Sequence, residues 1–177
     1  DYHRWLDLDT ALTGVSYTVN GVRFEREAFA DYPDRVIVLR FSADRPGMVN
    51  VKATLTSPHP HSEQFAAGSD VLGLKGRVTQ RHENQTESRM TFESRLLVRA
   101  VGGRVEISDK AAVVSGADQV VLILAAATNF VNYADISADP AQRCGRILKG
   151  VREMSYDQLK QRHLADYQAL FRRVDID

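Results

Sequence analysis

Val15-Ser16-Tyr17-Thr18-Val19-Asn20-Gly21-Val22-Arg23-Phe24-Glu25-Arg26-Glu27-Ala28-Phe29 is the stretch whose reading decides the fold. Two alternating runs separated by Asn-Gly alone form the strongest short-range hairpin signal, because both residues tolerate the positive φ of a type I′ turn. With the turn at Asn20-Gly21, Val19 faces Val22 and Tyr17 faces Phe24, while Ser16, Thr18, Arg23 and Glu25 lie on the wetter side. Each such cross-strand pair contributes roughly 0.2–1 kcal/mol and fixes the register. Asp31-Tyr32-Pro33-Asp34 turns the chain again. Val36 to Phe41 is apolar almost throughout, as a strand covered on both faces should be. This meander belongs at the centre of a sheet.

Outward from it, the short-turn pattern repeats. Asp1 to Leu12 reads as a short strand or extended lead-in, and Asp44-Arg45-Pro46-Gly47 as a turn. Val49, Val51, Ala53 and Leu55 alternate with polar residues, which predicts a strand with one wet face. Ser57 to His61 is a proline-bearing loop, and Ser62 to Asp70 a surface crossover. Val71 to Val78 carries Gly73 and Gly76, which predict a bulged or twisted strand. Arg81 to Arg89 is a hydrophilic hairpin tip that includes the glycosylation pattern Asn84-Gln85-Thr86. Met90 to Val101 and Arg104 to Ile107 follow as strands around Gly102-Gly103. Ala111 to Val114 and Gln119 to Ala127 read as a further hairpin around Ser115 to Asp118, with Val120 to Leu124 deep inside. Eight to ten strands joined by short turns predict a mainly β fold, a sandwich of antiparallel sheets.

The period then changes. Asp139-Pro140-Ala141-Gln142 and Ser155-Tyr156-Asp157-Gln158 both read as capping boxes, each opening a helix. The first buries Cys144, Ile147, Leu148 and Val151. The second runs to Val174 with Leu159, His163, Tyr167, Leu170 and Phe171 at helical spacing. The division expected is 1–137 for the sandwich and 138–177 for a helical segment.

Composition narrows the function classes. The 177 residues suit one domain. With 23 basic and 23 acidic residues no net field steers nucleic acid or an anionic membrane here, and neither is an expected partner. No apolar run approaches the roughly 18 residues of a membrane span. The single cysteine, Cys144, excludes an intrachain disulfide. No signal segment is visible, and both ends read as cut within structured sequence.

Specific segments resemble the N-terminal domain of glycoside hydrolase family 95, the inverting α-L-fucosidases. They are Tyr2-His3-Arg4-Trp5-Leu6-Asp7-Leu8-Asp9-Thr10-Ala11, Gly21-Val22-Arg23-Phe24, Arg26-Glu27-Ala28-Phe29-Ala30, Ala127-Thr128-Asn129-Phe130-Val131-Asn132-Tyr133, His163-Leu164-Ala165-Asp166-Tyr167-Gln168 and Leu170-Phe171-Arg172-Arg173-Val174. The resemblance implies a β-supersandwich followed by a helical linker, which in that family leads into an (α/α)6 barrel holding the catalytic residues and the sugar pocket. That barrel is the implied partner. No catalytic residue of the family falls on any position here. For the parent, a secreted or periplasmic setting is the expectation.

Three roles are open to such a chain: a non-catalytic brace for a catalytic barrel, a carbohydrate-binding module, and an enzyme in its own right. A sugar platform needs exposed aromatics, and Tyr2, Trp5, Tyr32, Phe130 and Tyr133 are the candidates for a glycan. An inverting glycosidase needs two carboxyls roughly 6.5–9.5 Å apart. Glu25 and Glu27, two apart on a strand, would lie about 7 Å apart, a spacing common to any wet strand face. Asp7 with Asp9, and His59 with His61, are the pairs with metal-ligand character, read respectively as strand polars or caps and as loop residues. Cys144 and His163 read as core residues. The reading assigns no catalytic residue, no cofactor and no metal, and it ranks the brace first.

Overall fold

A computed structural model of the chain describes residues 1–79 and 88–174. The Asn84-Gln85-Thr86 pattern lies outside the described residues. Eleven strands precede two helices among them. In chain order they are β1 Tyr2–Asp7, β2 Leu12–Val19, β3 Val22–Asp31, β4 Val36–Ala43, β5 Val49–Ala53 and β6 Ser62–Ala66. After these come β7 Val71–Arg77, β8 Thr91–Val101, β9 Arg104–Ile107, β10 Ala112–Ala117, β11 Gln119–Thr128, α1 Pro140–Val151 and α2 Tyr156–Phe171. Eight strands make one antiparallel sheet in the order β1-β2-β3-β4-β11-β8-β7-β6, and β5-β10-β9 make a second.

The hairpin at Asn20-Gly21 forms as its sequence requires. Both residues have positive φ, +52° and +72°, and Val19 pairs with Val22 and Tyr17 with Phe24. The Tyr17 and Phe24 rings stack at 5.3 Å. The meander occupies one half of the large sheet, and the centre is the β4–β11 pair.

The large sheet is a middle layer, and alternation along β11 shows how. Val120 and Leu122 face the second sheet with Leu96, Val98 and Val114, whereas Val121, Ile123 and Ala125 face the helices with Val38, Leu97 and Leu159. An apolar residue at every position is what a strand covered on both sides needs. β4 follows the same rule at Val36, Val38 and Leu39, but Ile37 is 45 % exposed and Arg40 is charged and faces Glu27.

Both helices start at side-chain caps. Asp139 Oδ1 accepts from the backbone of Ala141 and Gln142 at 2.8 and 3.2 Å. The Gln142 side chain accepts from Arg146 instead of returning to the cap, so α1 has the N-cap without the reciprocal half of the box. At α2 the box is complete: Ser155 Oγ accepts from Gln158 N, and Gln158 Oε1 accepts from Ser155 N. Such a cap is worth about 1 kcal/mol. Arg99, from β8, donates to the carbonyls of Arg152 and Met154 and ties down the turn between the helices.

Three local expectations are corrected. Ser62–Ala66 is the edge strand β6, not part of a surface crossover; it pairs with β7 through Phe65↔Gly73. Gly73 and Gly76 mark no bulge, since the registers to β6 and β8 run unbroken through both. Aromatic rings occupy the space a Cβ would need: Phe65 at 2.4 Å from that position at Gly73, and Phe92 at 2.7 Å at Gly76. Finally, β10 and β11 are not a hairpin. β10 pairs with β5 and β9, β11 pairs with β4 and β8, and the chain changes sheet at Asp118.

Candidate functional site

Polar contacts gather along the seam between α2 and the meander. Glu27 alternates with Phe29 on β3, and so both point toward α2. There Phe29 stacks on His163 at 4.9 Å and meets Tyr156 edge-on at 5.8 Å. Glu27 receives the Tyr156 hydroxyl, Lys160 Nζ at 3.0 and 3.1 Å, and Arg40 at 3.4 Å. Burial works to raise its pKa, but the bonds from Tyr156 and Lys160 and the charges of Lys160 and Arg40 outweigh burial and hold it below the usual glutamate value. Burial and the Glu27 carboxylate in turn push the Tyr156 hydroxyl upward. Glu25 is exposed and pairs with Arg23 at 3.0 Å. The two glutamates therefore do different things: Glu27 fastens a helix and Glu25 faces solvent.

Two more ion pairs continue the seam. Arg162 grips Asp34, in the turn between β3 and β4, at 2.7 and 3.2 Å. Arg172 grips Asp9 at 2.8 and 2.6 Å, with Gln168 donating to the same carboxylate at 3.0 Å. The Arg172 bond holds Asp9 below the ordinary aspartate value, with burial opposing it and the Arg172 charge and the Gln168 bond adding to it. Asp7 caps the backbone of Asp9 at 3.0 Å. The Asp7–Asp9 pair thus closes a turn, with Asp9 also holding α2. His163 is buried, and its Nε2–H donates to the Thr10 carbonyl at 2.8 Å; Tyr167 donates to the Leu8 carbonyl at the same distance.

The remaining sequence candidates have separate placements. Trp5 is half-buried over Gly14 and packs on the helix-side core. Tyr2, Tyr32, Phe130 and Tyr133 are exposed, but they sit on β1, on the β3–β4 turn and on the β11–α1 connection, and no ring contact joins any two of them. His59 Nδ1 accepts from Thr79 N at 3.2 Å and its ring lies against Phe92. His61 lines a groove of about 970 Å³ beside β6, β7 and the start of α1. Among the described residues no three His, Cys, Asp or Glu side chains gather as a metal cluster, and no helix is long and apolar enough to cross a membrane. Cys144 is buried, its Sγ donating to the Glu93 carbonyl at 3.2 Å, and burial pushes the thiol up to about 11.

What sequence reasoning missed is the seam as a unit. Its partners are 128 to 163 positions apart, so local pattern carries no trace of them. At the end of the seam, Leu170 at 57 % and Phe171 at 43 % in the last turn of α2, and Val174 at 72 % just past the helix, are exposed, as is Leu8 at 64 %. Tyr167 and Phe171, stacked at 5.2 Å, connect this apolar end to the buried part of the helix.

Residues 1–133 match the family described as "Glycosyl hydrolase family 65, N-terminal domain". This chain belongs to that family. A glycosyl hydrolase family 65 N-terminal domain of this sequence is 36 % identical over 195 residues to "Alpha-L-fucosidase 2" of Arabidopsis thaliana, and 27 % identical over 191 residues to "Probable alpha-fucosidase A" of Aspergillus niger. Each alignment covers 99 % of this chain and 23 % of the relative, so the chain spans about a quarter of the curated relatives it matches. The fucosidase names agree with the family 95 resemblance read from the sequence. A solved structure titled "Putative kojibiose phosphorylase from human microbiome" superposes over 97 % of this chain and 25 % of its own, with a TM-score of 0.59 at 13 % identity. That likeness shows a shared fold.

Proposed function

We propose that this domain is a non-catalytic brace: residues 1–137 form a sandwich that seats the helical segment 138–177, and the end of α2 offers its apolar side chains to the (α/α)6 barrel of an α-L-fucosidase-type hydrolase. The observation that carries the reading is the contrast within α2. Glu27 and Asp34 clamp its first half through Lys160 and Arg162, and Asp9 holds Gln168 and Arg172 at its end, where Leu170, Phe171 and, just past the helix, Val174 nonetheless stay exposed to solvent. Burying one Leu or Phe side chain is worth about 1.5–3 kcal/mol, so several together on a rigid helix make a docking face of useful strength. The candidate carboxylates support the same reading, since Glu27 is consumed by the seam.

A carbohydrate-binding role is the second reading. It is favoured by the stacked Tyr17 and Phe24 rings beside a cleft of about 600 Å³, with exposed Tyr2 opposite Tyr17 in the β1–β2 register. Incubation of the chain with an aryl α-L-fucoside, followed by calorimetric titration with fucosylated oligosaccharides, separates the roles. A brace gives neither turnover nor binding heat. Binding abolished by Tyr17→Ala selects the second reading, and turnover abolished by Glu25→Gln overturns both.

A further inference from the structure

Asp31 ends β3 with its side chain in the core: the residue is 2 % exposed, and among the described residues neither carboxyl oxygen meets a donor in good hydrogen-bond geometry, although the backbone N–H of Asp34 lies near enough to favour the ionised form. A buried carboxylate without a donor is among the costliest arrangements a fold can hold. Its neighbour Asp34 is already committed to Arg162 of α2 at 2.7 and 3.2 Å, with its own side chain only 11 % exposed. Asp31 is therefore buried beside an ion pair whose half-exposed guanidinium bonds Asp34, and only the charge of Arg162 reaches Asp31. The other charged groups α2 turns toward the sheet are occupied, Lys160 by Glu27 and His163 by the Thr10 carbonyl, and Arg40 of β4 also faces Glu27. A proton on Asp31 resolves the conflict. The protonated carboxyl becomes a donor, Asp34 can accept from it, and one negative charge is left against one positive charge.

We propose that Asp31, Asp34 and Arg162 form a proton-dependent latch that fastens the middle of α2 to the β3–β4 turn, closed when Asp31 carries a proton and loosened when it ionises. Burial first, then the side-chain hydrogen bond and charge of Asp34, push Asp31 from 3.8 up to about 7, with the backbone N–H of Asp34 and then the charge of Arg162 pulling the other way. The folded chain thus keeps a proton that the unfolded chain gives up near 3.8. The stabilisation is complete below that value, is lost as pH rises through about 7, and stays level above it. The displacement of about three units corresponds to a change of up to about a thousandfold in the folding equilibrium. The device would couple proton concentration to how firmly α2, and the docking face at its end, is held.

Carbon-13 NMR of the Asp31 carboxyl in the chain gives the direct test. Its midpoint is expected near pH 7, and a midpoint below 5 overturns the proposal. Hydrogen exchange of residues 159–167, corrected for intrinsic rate, supplies a second readout. Between pH 5.5 and 8 protection should fall in the wild-type chain, and it should change far less in Asp31→Asn, whose amide can donate to Asp34 at every pH. Equal falls in the two proteins would assign the effect to another group and overturn the latch.

Discussion

Glu27→Gln removes one charge from the centre of the seam while keeping the side chain's shape. In the wild type that carboxylate accepts from the Tyr156 hydroxyl and twice from Lys160, at 3.0 and 3.1 Å, with Arg40 at 3.4 Å. Hydrogen bonds to a charged group contribute about 1.5–3 kcal/mol each, and breaking a fully buried pair costs about 3–5 kcal/mol. Glu27 is 13 % exposed, but Lys160 and Arg40 are 27 % and 28 % exposed and can turn to water. The loss should therefore settle at about 2–3 kcal/mol. For a domain of this size each kcal/mol moves Tm by about 2–4 °C, so a fall of about 4–12 °C is expected. Thermal unfolding followed by circular dichroism measures it. A cycle with Lys160→Met isolates the pair, with a coupling of about 1 kcal/mol or more expected. A Glu27→Gln variant within about 0.5 kcal/mol of wild type, or additive single changes, would refute the clamp.

The pH response of the same group has a definite sign. Because Glu27 titrates below its ordinary value of 4.5 when folded, its stabilisation is present above that pH and disappears as pH falls through the folded value; acid unfolding curves should be shallower in Glu27→Gln. Gly73→Ala places a methyl 2.4 Å from the Phe65 ring and should cost about 1–3 kcal/mol by denaturant titration, with partial recovery in Gly73→Ala/Phe65→Leu. Cys144, buried with its thiol raised to about 11, should react with a thiol reagent at neutral pH only as fast as the domain opens. Phe171→Ala should barely change the stability of the chain alone, whereas Leu159→Ala, at a fully buried position, should cost about 2–5 kcal/mol.

Where the sequence states its own geometry, the fold was legible. Asn20-Gly21 specified a turn and thereby a register, and Ser155 with Gln158 specified the start of α2. Uninterrupted apolar runs at Val36 and Val120 correctly implied cover on both faces, although nothing in them told that Ile37 would escape it. β6 was hidden because Ser62-Glu63-Gln64 is polar, as an edge strand permits. β10 and β11 read as a hairpin because they are consecutive; strand alternation records which residues share a face and says nothing of which sheet receives them. The glycines of β7 showed the same gap, since the rings that fill their missing side chains come from other strands. The seam was illegible for a related reason. Glu27 reads in the sequence as an ordinary polar residue of a wet strand face because its partners, Tyr156 and Lys160, lie 129 and 133 positions away.

The central claim is that this domain acts through the exposed end of α2. The most direct measurement takes Phe171→Asp, made in this chain and in a longer protein that joins it to the barrel. The account predicts that the isolated chain unfolds at an unchanged Tm, while the longer protein loses aryl α-L-fucoside hydrolysis and releases the two parts to limited proteolysis. Unimpaired hydrolysis with the two parts still protected would contradict it.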